Sequence, residues 1–220
     1  AGDARVEIGG VAAPSLNHAV ATILAAELDA AGVSTLVTRD GDDDVAASTR
    51  SAAATASGAR IVVSIAIAPG DGELVDQPPL EVVHPAANAE GRRLGGLIHQ
   101  ALMPVLLDLP GAWTDAGEPG VRSILNQRGT DYFTVLRAAD DQARVVVHLP
   151  ALNSTTVELF GSPVTAVNMA QALADAIARH LLTDEEGDGF VTPAETVRNA
   201  STADSEPCVD PLASSADADG

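Results

Sequence analysis

The run at residues 61–68, IVVSIAIA, constrains the fold of this chain most. It is eight residues of β-branched and small apolar side chains, too short for a core helix and without alternation. Such a run is expected of a strand buried on both faces, in the middle of a sheet. Amphipathic stretches flank it. Upstream, Pro14 and Ser15 open a helix with Leu16, Val20, Ile23, Leu24 and Leu28 on one face and Gly32 as its stop. Downstream, residues 87–107 place Leu94, Leu97, Ile98, Ala101 and Leu102 at helical spacing. Short β-rich runs at 5–8, 33–38, 80–84, 132–136 and 144–149 alternate with these, as does a helix over 45–57 capped by Asp44. A Pro/Gly-rich loop at 110–120 and a helix at 164–182 complete the pattern. In that last helix Val167, Ala170, Leu173, Ala174, Ile177 and Leu181 share a face. The order predicts an α/β fold: a single three-layer domain over 1–183, its mostly parallel or mixed central sheet of about six strands flanked by helices.

With 2% aromatic residues, the core has to be built from Ala, Val, Leu and Ile. Acids outnumber bases 31 to 12, and every base is Arg, giving a net charge of −19. Such Arg-only usage suggests a GC-rich genome, as in actinobacteria or halophiles. The balance excludes nucleic acid, because phosphate contact requires a basic patch. No apolar run approaches the roughly 18 residues that a membrane span needs. Cys208 alone forms neither an internal disulfide nor a cysteine zinc site. The charge is uneven: residues 1–183 hold 21 acids and 11 Arg, residues 184–220 hold 10 acids and one Arg. The stretch 196–220 reads as a disordered acidic tail.

Several runs resemble one family in the same order along residues 4–182. Residues 16–60, LNHAVATILAAELDAAGVSTLVTRDGDDDVAASTRSAAATASGAR, are similar to the zinc-dependent N-acetylmuramoyl-L-alanine amidases that trim bacterial peptidoglycan, above all at TRDGDDD. Residues 63–66 (VSIA) stand where the family has V-S-I-H, and 132–137 (YFTVLR) where it has L-x-V-L-R. Residues 145–154 (VVVHLPALNS) stand where it has V-L-V-E-x-G-F-x-S-N. The resemblance implies an amidase-like fold and an envelope or secreted location; an N-terminus at Ala1 is also what a mature exported chain would present.

The family's chemistry needs two His and one Glu on zinc, and a second Glu as general base. Here the family's second His position is Ala66, and the base position is His148. The first His would fall within 7–10, where only Glu7 carries a donor, and the ligand Glu within 11–15, where there is no acid. Glu7, Ala66 and His148 are thus vestigial positions. The resemblance implies a catalytically inactive module, with no zinc expected, that binds a peptidoglycan fragment or an envelope protein. Arg137, matching the family's R, would line the cleft or form a surface ion pair. An active amidase with displaced ligands is the alternative, for which His84, His148 and Glu7 are conceivable ligands; the plainer reading makes His148 a polar filler. His18, His99 and His180 read as surface or boundary residues.

Residues 184–195, DEEGDGFVTPAE, have the spacing of an EF-hand calcium loop. Asp184, Glu186 and Asp188 would supply side-chain oxygens and Phe190 its carbonyl. Thr192 would give a hydroxyl or a bridging water, and Glu195 two oxygens, with a short exit helix over 194–200. A lone site of this kind would bind calcium on the order of 0.1–1 mM, useful only outside the cytoplasm. A calcium-binding structural protein is therefore a third reading, and a solvated acidic linker is the plain one.

Overall fold

The computed structural model describes residues 7–8, 11–40, 45–68, 72–115, 118–137 and 141–197, with backbone alone at 7, 8, 11, 12 and 192–197. The expected acidic tail beyond 197 and the Asp44 cap lie outside the described residues.

Two short strands, β1 (Glu7–Ile8) and β2 (Val11–Ala12), pair antiparallel in a hairpin of their own. Helix α1 (Ala13–Ala30) follows and ends where Gly32 takes φ +83°, a conformation that costs glycine no Cβ clash. Val20, Leu24 and Leu28 are buried, with Leu16 and Ile23 packed beside them, which is the expected face. Residues 33–38 form no strand, contrary to their β-favouring composition, and Leu36 and Val37 are exposed. Helix α2 (Ala47–Ala56) starts from Ala46 with no side-chain cap.

Strand β3 (Ile61–Ile67) leads to the two-residue β4 (Leu74–Val75) and then β5 (Glu81–Val83). Helix α3 (Ala89–Leu107) is capped by Asn88, whose side chain accepts from the Gly91 N–H at 2.5 Å. The 110–120 loop contains β6 (Trp113–Thr114), which pairs with β4 and buries Trp113. Strand β7 (Gly120–Leu125) was not evident in the sequence, because Arg122 and Ser123 interrupt its apolar pattern. The strand expected at 132–136 is instead a 3-10 turn, Thr134–Leu136. Strand β8 (Ala143–Leu149), helix α4 (Thr156–Gly161) and helix α5 (Pro163–Leu182) come next. The chain then forms β9 (Phe190–Val197) where an exit helix was expected.

The central sheet has five strands in the order β3-β8-β5-β7-β9, all parallel to their neighbours except the antiparallel pair β5–β8. Three expectations change with this order. Strand β3 lies at an edge, half-buried, and not in the middle. The sheet continues past residue 183, since β9 supplies its last strand. The first hairpin, with Glu7 in it, is outside the sheet.

The two faces of the sheet are unlike. On one, Val63 and Ile65 of β3, Val145 and Val147 of β8, Val82 of β5 and Val121 of β7 meet α1, α3 and α5 in the main core. Leu94, Leu97, Ile98 and Leu102 of α3 are wholly buried there, each stabilising by roughly 1.5–3 kcal/mol. The other face is covered by α2 and the 131–137 segment over a small cluster of Val83, Ile124, Leu136 and Val146. These layers are the three-layer α/β arrangement the sequence predicted.

Candidate functional site

Side chains alternate along a strand, so residues paired across the ladder share a face. Ala66 of β3 pairs with His148 of β8, His148 with Glu81 of β5, and Glu81 with Gly120 of β7. Four residues from four strands thus form one row on the thinly covered face, near the C-terminal ends of β3 and β8. Arg122, two positions along β7, lies on the same face opposite Val83.

The centre of the row is ionic. His148 Nδ1 is 2.7 Å from Glu81 Oε2, and Arg122 Nε is 3.9 Å from Glu81 Oε1. Arg122 also pairs with the exposed Glu118. Glu81 and Arg122 are buried, at 7% and 2% exposure, and His148 is half-buried. A carboxylate enclosed this way is affordable only because two cationic or hydrogen-bonding groups flank it. With Nδ1 engaged by Glu81, the imidazole keeps one tautomer and presents Nε2 for any further contact. The Phe133 ring stands edge-on against it, centroids 5.0 Å apart, and Tyr132 packs edge-on against Phe133.

Of the three positions singled out by the resemblance, Ala66 and His148 are therefore neighbours, and Glu7 belongs to a separate hairpin whose side chains are outside the described residues. Glu81 and Arg122 complete the group. Nothing in the sequence pairs Glu81 with His148, since that needs the register of β5 against β8. His84 is at the other end of β5, buried, with Nδ1 2.9 Å from the Pro85 carbonyl, and does not join His148. Arg137 is exposed and closes its own loop: Nε donates to the Asp131 carbonyl at 2.6 Å and Nη2 to that of Tyr132 at 2.5 Å. It holds in place the segment that carries Phe133.

Further along the same face, Arg144 is buried and donates to the Val135 carbonyl at 2.8 Å and Thr55 Oγ1 at 2.9 Å, and also to Gln142. Burial pulls its pKa below the ordinary arginine value, against Asp141, which raises it. Arg144 thereby ties β8 to α2 and to the 3-10 turn.

Two of the acids with calcium spacing, Glu186 and Asp188, are exposed and turn to different basic side chains of α3. Glu186 pairs with Arg92 at 3.5 Å and Asp188 with His99 Nδ1 at 2.9 Å, while the intervening Glu185 pairs with Arg179. Asp184 is exposed, and the Phe190 ring lies beneath the Arg92 guanidinium, 3.8 Å from it. Thr192 and Glu195 lie on β9 by their backbone, Glu195 opposite Ser123. Among the described residues no three His, Cys, Asp or Glu side chains are grouped so as to hold a metal ion.

The arrangement of strands and helices is matched in solved structures. The chain superposes on the N-acetylmuramoyl-L-alanine amidase AmiC2 of Nostoc punctiforme with a TM-score of 0.65 and 22% identity, over 81% of this chain and 89% of that one. The chain has the amidase fold. CwlD amidase from Clostridioides difficile, in complex with the GerS lipoprotein, matches with a TM-score of 0.62 and 16% identity over 78% and 87% of the two chains. Cwp6 from Clostridium difficile matches with a TM-score of 0.63 and 15% identity over 79% of this chain, which spans only 26% of Cwp6. No family model matches the sequence, and no curated protein matches it. No helix among the described residues is long and apolar enough to cross a membrane.

Proposed function

We propose that this amidase-fold protein is a non-catalytic module of the bacterial cell envelope. It binds a peptidoglycan fragment, or an envelope protein, at the sheet end around His148. The row Ala66–His148–Glu81 carries this reading. The resemblance puts a zinc ligand at the position of Ala66, which offers no donor, and the general base at the position of His148. The buried Glu81 and Arg122 then form a charge network of this chain's own, so the residues present do not fit a zinc ion bound in the family's manner. CwlD in complex with a lipoprotein is an instance of this fold engaged by a protein.

A second reading has one observation in its favour. A carboxylate on Nδ1 is how metal-ligating histidines are commonly oriented, so Glu81 and His148 would suit a hydrolase with displaced ligands.

One experiment separates them. The chain is stripped of metal, reloaded with zinc, and incubated with muropeptides, while its cosedimentation with purified peptidoglycan or an envelope extract is followed in parallel. Cosedimentation without peptide release supports the module. Stoichiometric zinc together with release of peptide sinks it in favour of the hydrolase.

A further inference from the structure

The end of α5 holds a titratable group that the proposed function does not use. His180, read from the sequence as a surface or boundary residue, continues the buried spacing of Ala176 and Ile177 and is 8% exposed. Its Nδ1 has no hydrogen-bond partner, and its Nε2 is 3.6 Å from Glu90 Oε2. That carboxylate is shared with Arg93, whose Nη2 donates to it at 3.0 Å. Arg93 in turn donates to the carbonyls of His180 at 2.8 Å and Thr183 at 3.0 Å. These are carbonyls that the end of a helix leaves without helical partners. Glu90 thus holds Arg93, and Arg93 holds the point where α5 gives way to the 183–189 segment.

That segment lies directly on α3. The Asp188 N–H donates to the Gly96 carbonyl at 3.2 Å. A Cβ at Gly96 would stand 2.5 Å from the Glu186 carbonyl oxygen, and one at Gly187 would collide with Gly96. At its far end, the Gly189 carbonyl accepts from Val121 N–H at 2.7 Å where β9 joins β7. The strap is thin, exposed at most of its side chains, and fastened at its start by Arg93.

We propose that His180 is an acid-sensitive latch, whose protonation beside Arg93 breaks the hold of Arg93 on the end of α5 and frees the 183–189 strap from α3. The charged groups facing it are Glu90 and Arg93 on α3 and Arg60 ahead of β3. Arg179, on its own helix, is turned to Asp175 and Glu185. Burial, then Arg93, pull the His180 pKa below the ordinary value of 6.5; Glu90 opposes them and Arg60 adds to them. The closed latch therefore binds a proton poorly, and the opened one takes it up with an ordinary pKa. The strap is held fully above pH 6.5, loosens as the pH falls below it, and stops loosening beneath the closed form's own pKa. His99 is the other imidazole against the strap, its Nδ1 2.9 Å from Asp188 Oδ1.

Hydrogen exchange on the full chain at pH 7.5 and 5.5, corrected for the intrinsic pH dependence, tests this. The amides of 183–189 are expected to open several-fold more often at pH 5.5 than at pH 7.5. His180→Gln should abolish the response, and His99→Gln should keep it. A pH-independent strap in the wild-type chain, or an undiminished response in His180→Gln, overturns the latch. If His180→Gln does not fold, the wild-type His180 ring resonances decide: a midpoint below 6.5 supports the latch, and one at or above 6.5 removes it.

Discussion

The same strands give the sheet one face of aliphatic side chains and one face of charges. In β8, Val145 and Val147 join the main core beneath α3, while Arg144 and His148, one residue to either side, meet α2 and the 131–137 segment. In β5 and β7 the division repeats, with Val82 and Val121 on the first face and Glu81 and Arg122 on the second. The first face holds the domain together by burial. The second contributes little net stability, because desolvation of each charge offsets most of what its pairing gains. This separation explains how a chain can keep the amidase fold at 22% identity or less while the resemblance finds Ala66 and His148 at reactive positions. Residues on the thin face can change without cost to the thick one.

The comparison breaks first on the apolar face. Leu97 is 0% exposed in the middle of α3, so Leu97→Ala removes buried methyl groups and leaves a cavity. A loss of about 4 kcal/mol is expected, read as a lower urea midpoint at an unchanged slope. A loss under about 1 kcal/mol, below the usual range for such a cavity, would mean that this face is not the main source of stability.

The charged face gives a smaller and more particular effect. Glu81→Ala strands Arg122 and His148 beside each other, and the expected cost is about 2 kcal/mol, less than for a fully buried pair because Glu118 still reaches Arg122. Replacing the pair together, as Glu81→Leu with Arg122→Met, should return stability to within about 1 kcal/mol of the original, since no buried charge is left unmatched and Glu118, which loses Arg122, is exposed to water. The double variant should nonetheless lose the cosedimentation expected of the proposed module. Retained binding would show that the row Ala66–His148–Glu81 is only structural.

How much of this was legible follows from which forces act locally. Helices α1, α3 and α5 were visible because the 3.6-residue period of Val20, Leu24 and Leu28, or of Leu94, Leu97 and Ile98, is written in the chain itself. Strand β8 was visible because Arg and His occupy only the outer steps of an otherwise apolar run. Strand β7 was not, since buried Arg122 and Ser123 look like loop residues until Glu81 and Glu118 are set beside them. Residues 33–38 have β-favouring side chains but no ladder, and propensity without a partner does not make a strand. The spacing at 184–195 gives positions along the chain, whereas the directions of the Glu186 and Asp188 side chains are set by Arg92 and His99 of α3, far away in sequence. For the site, the sequence could align Ala66 and His148, but the Glu81–His148 contact depends on an antiparallel register between strands 67 residues apart.

The smallest expected effect belongs to the cover of the charged face. Arg137 is exposed, and its two hydrogen bonds go to carbonyls of its own loop, so Arg137→Ala lets water take their place and should cost about 1 kcal/mol or less. Its consequence lies in position. The loop is anchored at one end by Asp131, which accepts from the Ala86 N–H at 2.9 Å, and Arg137 returns from the other end to the carbonyls of 131 and 132. Without that return, Phe133 should lose its fixed place against the His148 ring while β8 beneath it stays intact. The His148 ring resonances should therefore broaden or shift in Arg137→Ala at nearly constant urea midpoint. Arg137→Lys should not restore them, because one ammonium does not reproduce the two-pronged reach of the guanidinium. A midpoint loss as large as that of Leu97→Ala would mean that the cover, and not the apolar face, holds the sheet, and the division between the faces would fail.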